Sequence, residues 1–169
     1  MRRTARAAAP ALVLGALAVL TPACGDGGDG GERRDARPAT ARFVESGVEV
    51  SITVTGARVE AVFRPTRAGF HVYSVDLPSG GVDGLGVPTR LGVRSGLTAT
   101  GRPTADRAAR TLALPALKVS LPVYPDGPVT LSLPVRRTGP AAEVVVSYGA
   151  CSSGACLAPV TDRVTRIDL

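Results

Sequence analysis

Glycine and proline interrupt this chain every few residues, 20 and 14 of them in 169 positions. Between the interruptions, apolar side chains alternate with polar ones. That rhythm excludes amphipathic helices long enough for βαβ crossovers and suits short strands joined by turns. It is plainest at Val48, Val50, Ile52 and Val54, which fall on one side of an extended chain while Glu49, Ser51 and Thr53 fall on the other, the pattern of a half-buried strand. Gly56 ends that run, and 58–64 supplies a second strand in hairpin-like spacing before Pro65 and Gly69.

Further strands are predicted over 70–75, 88–94, 112–123, 129–135, 142–148 and 160–169, the last with Val164, Ile167 and Leu169 as its apolar set. Residues 77–86 read as loop, and 95–110 as an irregular excursion in which only 105–110 has helical character. Pro122 and Pro134 have no N–H for a ladder, so each is expected at an edge, a bulge or a strand end. About eight or nine strands in a chain with room for one core predict an all-β fold, an antiparallel immunoglobulin-like β-sandwich.

The N-terminus obeys a different logic. Residues 1–6 are basic, 7–20 are apolar, and Ala23-Cys24-Gly25 follows. This order is that of a secretory leader, here 1–23, and its apolar run is shorter than the roughly 20 residues a permanent membrane helix needs. Ala23-Cys24-Gly25 resembles a bacterial lipobox, in which the cysteine is acylated. Acylation of Cys24 also removes the odd thiol from a chain of three cysteines bound for an oxidising compartment. Plain cleavage, with Cys24 free or in an intermolecular disulfide, is the alternative. Residues 24–40 then form the lipidated N-terminus and a Gly/Asp/Arg-rich tether with no apolar periodicity, reaching about 20 to 25 Å as a flexible coil. The domain is expected over 41–169, exported and held at the membrane by lipid.

A net charge of +6 invites a nucleic-acid reading. Three of the arginines, Arg2, Arg3 and Arg6, belong to the leader, which leaves +3 for the remainder. The adjacent basic pairs outside the leader are Arg33-Arg34 and Arg136-Arg137, and three tyrosines with three phenylalanines make no stacking platform. Nucleic acid is therefore not an expected partner.

Cys151 and Cys156 are the chemically interesting pair. The apolar run Val144-Val145-Val146 leads through Tyr148 into Cys151-Ser152-Ser153-Gly154-Ala155-Cys156, and Pro159 closes the segment. Gly154 eases a reversal that would bring the thiols within bonding range. Three uses compete. A structural disulfide closing so short a loop contributes only about 2 kcal/mol. A redox pair needs an accessible sulfur and a potential near that of its partner. Metal ligation would draw on the two thiols and His71 for Cu(I), whereas tetrahedral zinc would lack a fourth ligand.

Two motifs carry a family resemblance. Tyr148-Gly149-Ala150-Cys151 with Cys156-Leu157-Ala158-Pro159 and Thr161-Asp162-Arg163-Val164 resembles the cysteine motif of the N-terminal domain of DsbD-type thiol:disulfide interchange proteins. Gly69-Phe70-His71-Val72-Tyr73 followed by Gly86-Val87-Pro88-Thr89 resembles a second stretch of the same domain. The resemblance implies an immunoglobulin-like fold that relays electrons to extracytoplasmic acceptors, with Cys151 and Cys156 as the redox pair. Cys156 would enter mixed disulfides, Tyr148, Tyr73, His71 and Pro159 would wall the site, and neither cofactor nor metal would be required.

Members of that family shield the cysteines with an aromatic-bearing loop, but no Phe, Tyr or Trp lies between Ser74 and Val123 here. Both sulfurs are therefore expected at one rim, open to another protein. The 169 residues hold neither a membrane-embedded reductase nor a thioredoxin-like domain. The implied partners are thus separate: a thioredoxin-like protein or membrane-embedded thiol reductase on one side, exported disulfide-containing proteins on the other. The alternative function is a non-catalytic lipoprotein binding module whose disulfide is structural.

Overall fold

The computed structural model describes residues 38–169. The expected leader (1–23), Cys24 and the tether as far as residue 37 lie outside the described residues. In chain order the strands are β1 (Ala39–Glu45), β2 (Val48–Thr55), β3 (Arg58–Pro65), β4 (His71–Val72), β5 (Arg90–Val93), β6 (Leu97–Ala99), β7 (Thr104–Ala105), β8 (Arg110–Leu114), β9 (Val119–Val123), β10 (Val129–Arg137), β11 (Ala141–Tyr148), β12 (Ala150–Cys151) and β13 (Val160–Asp168).

One sheet runs β1-β2-β3-β10-β6, with β7 also on β10, and a second runs β13-β11-β5. Every pairing is antiparallel. The fold is the predicted immunoglobulin-like sandwich. Its core is filled by the alternate residues of the long strands: Val48, Val50 and Ile52 from β2, Phe63 from β3, Leu131 and Leu133 from β10, Val144 and Val146 from β11. Burying each such side chain contributes about 1.5–3 kcal/mol.

A smaller layer sits beside this sandwich. Strands β12 and β4 pair, β8 and β9 form a hairpin, and a bridge between Tyr73 and Val123 joins the two ladders. Tyr73, Leu77, Leu112, Leu114, Leu121, Val123 and Cys151 make a second apolar cluster there. Segment 71–74 is buried throughout because it serves both bodies: Val72 faces the sandwich, while His71 and Tyr73 face the small layer.

Several local expectations change. Strand β1 opens at Ala39, two residues before the expected domain start, and its inward residues Ala39, Ala41 and Phe43 are only partly buried. The excursion 95–110 contains β6 and β7, which pair with β10, and no helical turn at 105–110. Residues 112–123 do not continue as one strand. The chain folds back through a 3₁₀ turn at Pro115–Leu117 and a left-handed Lys118 (φ 56°) to make the β8–β9 hairpin. Val164 is 40% exposed and belongs to the outer face of β13, not to the core. Pro134 lies inside β10, at a gap between the β7 and β6 pairings where no neighbour requires its missing N–H.

Candidate functional site

The cysteine segment begins where β11 lets go of β13. Their register shifts between Val146 and Tyr148, and Ser147 Oγ accepts the N–H of Asp162 (2.9 Å), which has a positive φ of 49°. This bulge turns the chain away from the sandwich so that β12 pairs with β4, with Cys151 opposite His71. Cys151 and Cys156 then face each other as an antiparallel bridge. The N–H of Leu157 donates to Ala150 O (2.9 Å) and that of Ser152 to Ala155 O (2.8 Å), one on each side of the pair. The cysteines are thus a non-hydrogen-bonded pair, the close-set kind, with Cα atoms 4.1 Å apart and a disulfide between them.

Ser152 fastens the turn independently of the sulfurs. Its Oγ accepts the N–H groups of Gly154 (3.3 Å) and Ala155 (3.1 Å), a local side-chain cap typical of serine. Two backbone bonds and this cap span the six-residue hairpin in addition to the disulfide.

The two ends of the disulfide differ. Cys156 is exposed, whereas Cys151 is 0% exposed and packs in the small apolar cluster. The expectation of two open sulfurs is therefore corrected: one is presented and one is covered. The covering is done by Tyr73 and by aliphatic residues of loop 74–87. Leu77 is buried, and Val82 and Leu85 pack against the cluster from the tip of a tight hairpin in which they exchange two backbone bonds of 2.9 Å. Asp83 (φ 51°) and Gly84 (φ 75°) form that tip, as expected of an Asp-Gly type I′ turn. Val82-Asp83-Gly84-Leu85 was the sequence signal for this cover, and it needs no aromatic residue.

Tyr73 is 3% exposed, and its hydroxyl donates a hydrogen bond to Cys151 Sγ, with Cys156 Sγ 3.5 Å away. Burial pushes its phenol above the ordinary tyrosine range, which keeps the donor protonated. Two glycines border the ring at its Cε2 edge. A Cβ on Gly149 would lie 2.8 Å from ring atom Cε2, and one on Gly86 would lie 3.2 Å from Cζ. Buried Thr89, the threonine of the Pro-Thr motif, donates its hydroxyl to the Tyr73 carbonyl (2.5 Å).

His71 shares the Cys151 side of β4, but its ring nitrogens are engaged elsewhere. Nε2 lies 2.8 Å from an Arg110 guanidinium nitrogen and Nδ1 lies 3.4 Å from Asp126 Oδ1. Arginine can only donate, so Nε2 carries the lone pair and the proton is on Nδ1, toward Asp126. Both nitrogens being taken, His71 is not poised to join the sulfurs on Cu(I). Among the described residues no group of three or more His, Cys, Asp or Glu gathers as a metal site.

Tyr148 belongs to the sandwich. Its ring meets Phe63 edge-on at 5.5 Å and its hydroxyl donates to Glu45 O (3.1 Å). Its phenol is pushed up to about 12 by burial, with Glu45 adding to the shift and Arg163 opposing it. The structure thus brings Tyr73 and Pro159 to the disulfide, places His71 behind Cys151, and leaves Tyr148 outside the cluster around the sulfurs. Gly86 and Gly149 stand in the two motifs without an assigned role, and Arg110 and Asp126 carried no sequence signal as site residues.

Beside Cys156 runs a groove of about 260 Å³ lined by Tyr73, Gly84, Leu85, Gly86, Val87, Leu157 and Pro159. None of these side chains carries a charge. An incoming sulfur can reach exposed Cys156 along this groove. The arrangement can accept a nucleophile at the exposed sulfur and release the buried one beside a hydroxyl donor.

No family model matches the chain, and no curated protein matches it. Among solved structures it is similar to the N-terminal domain of DsbD from Neisseria meningitidis in its reduced form, with 18% sequence identity and a TM-score of 0.49 over 74% of this chain and 86% of that one.

Proposed function

We propose that this protein is a thiol:disulfide carrier, exported and held at the membrane through acylated Cys24, that passes electrons from a thioredoxin-like protein or membrane-embedded thiol reductase to exported disulfide-containing proteins. The observation that carries this reading is the asymmetric disulfide: an exposed Cys156 bonded to a covered Cys151 across a hairpin that also has its own backbone hydrogen bonds.

In the reducing half-reaction, a donor thiolate attacks Cys156 Sγ. A donor–Cys156 disulfide forms, the Cys151–Cys156 bond breaks, and the electron pair leaves on Cys151. The donor's second thiolate then attacks its own sulfur in the mixed disulfide and releases Cys156. Two electrons and two protons have moved from the donor dithiol to the carrier. Delivery to an acceptor is the reverse, with Cys156 attacking and Cys151 resolving. No cofactor takes part.

The equilibrium potential of the pair tests the reading. Exchange requires a value above about −300 mV, and a lower value would assign the bond to structure and the protein to the lipoprotein binding modules. The anchor is tested separately: acyl labelling of the wild-type chain should vanish in Cys24→Ser.

A further inference from the structure

We propose that Tyr73 is a catalytic residue of this exchange, its hydroxyl stabilising the Cys151 thiolate as that sulfur leaves or attacks. The inference rests on the carrier reading and adds the group that makes a covered sulfur a competent leaving group.

A thiolate released at Cys151 appears among Leu77, Leu112, Leu114, Leu121 and Val123, where water is excluded. Negative charge in such surroundings is costly unless a donor meets it. The Tyr73 hydroxyl already points at Cys151 Sγ and is the donor the structure supplies to that atom among the described residues. A disulfide sulfur accepts weakly and a thiolate strongly, so one geometry binds the charged state better than the neutral one. That difference is the condition for catalysis. No proton need be transferred: the phenol holds its proton more firmly than usual because it is buried. The electron pair from the broken bond stays on Cys151 until solvent or the donor's second thiol supplies a proton.

The location of Tyr73 agrees with a positioned donor. Gly86 and Gly149 lack the Cβ atoms that would crowd the Cε2 edge of the ring, and Thr89 holds the backbone carbonyl of the same residue. His71, Arg110 and Asp126 bond with one another and not with sulfur.

The test uses the full chain. In a Cys156→Ala background the Cβ carbon resonance of Cys151 is followed by NMR against pH, with and without Tyr73→Phe. The phenyl ring keeps the same space filled, so the change removes only the hydroxyl. Loss of one charge-assisted bond should leave roughly tenfold less thiolate at a given pH, moving the Cys151 midpoint upward. In the chain with both cysteines, reduction by dithiothreitol should slow about threefold in Tyr73→Phe, as a leaving-group dependence near one half predicts. Gly149→Ala keeps the hydroxyl but crowds the ring, and should move both readouts in the same direction. Unchanged midpoints in both variants would overturn the role of Tyr73. Failure of dithiothreitol to reduce the wild-type pair would instead overturn the carrier reading, and the titration would still report on the hydroxyl.

Discussion

The sandwich and the small layer beside it are built from the same kinds of side chain and put them to different ends. In the sandwich, Tyr148 lies edge-on to Phe63 and gives its hydroxyl to the Glu45 carbonyl, tying β11 to the end of β1. In the small layer, Tyr73 is equally buried and gives its hydroxyl to sulfur. One tyrosine completes a wall; the other meets the disulfide. Long, cross-paired strands can carry the stability of the fold, which leaves the short ladders β12–β4 and β8–β9 free to house chemistry.

The sharpest break in this comparison is all-or-none. Cys151→Ala should accumulate a mixed disulfide with a thioredoxin-like partner, whereas Cys156→Ala should accumulate none, read on non-reducing gels. Accumulation through Cys151 would mean that the cover over the small layer opens as readily as the turn. Next in size is packing. Phe63→Ala should cost about 3–5 kcal/mol in urea unfolding, and Leu121→Ala about 2 kcal/mol, the low end for a buried leucine in a small cluster that can collapse. Equal losses would show the two regions to be one cooperative unit.

Reducing the disulfide should lower the unfolding free energy by about 2 kcal/mol at most, with no change in far-ultraviolet circular dichroism, because the bond closes a six-residue loop whose backbone is already paired. The smallest effect at ordinary pH concerns Tyr148. Its phenol titrates near 12 when folded and near 10 when unfolded. The folded state therefore holds the proton longer, and the stability this gives is fully present below pH 10 and is lost as pH rises toward 12. Tyr148→Phe should flatten that alkaline slope while its Glu45 bond is lost at every pH.

The alternation of valine, leucine and isoleucine made the sandwich legible. β2, β3, β10 and β11 bury the residues their period assigns. Strand β1 was not legible, because Ala39 and Ala41 are too small to mark an inward face and Val44, 61% exposed, points away from it. The β8–β9 hairpin was hidden because leucine and valine continue across the bend and the reversal depends on Pro115 and a left-handed Lys118. At the site, the pairing of the thiols followed from a short glycine-containing turn. Their inequality did not, since Cys151 is covered by β8–β9 and by loop 74–87, segments remote in sequence. The partners of His71 were equally invisible: Arg110 and Asp126 meet it only through tertiary packing.

The Ser152 cap has a kinetic consequence. Because it and the flanking backbone bonds keep the two ends of the turn apposed, a thiol at Cys151 confronts any bond made at Cys156 at a very high effective concentration, as in a well-oriented intramolecular reaction. In the proposed delivery step, an acceptor captured on Cys156 would therefore be released from within, without waiting for a second encounter.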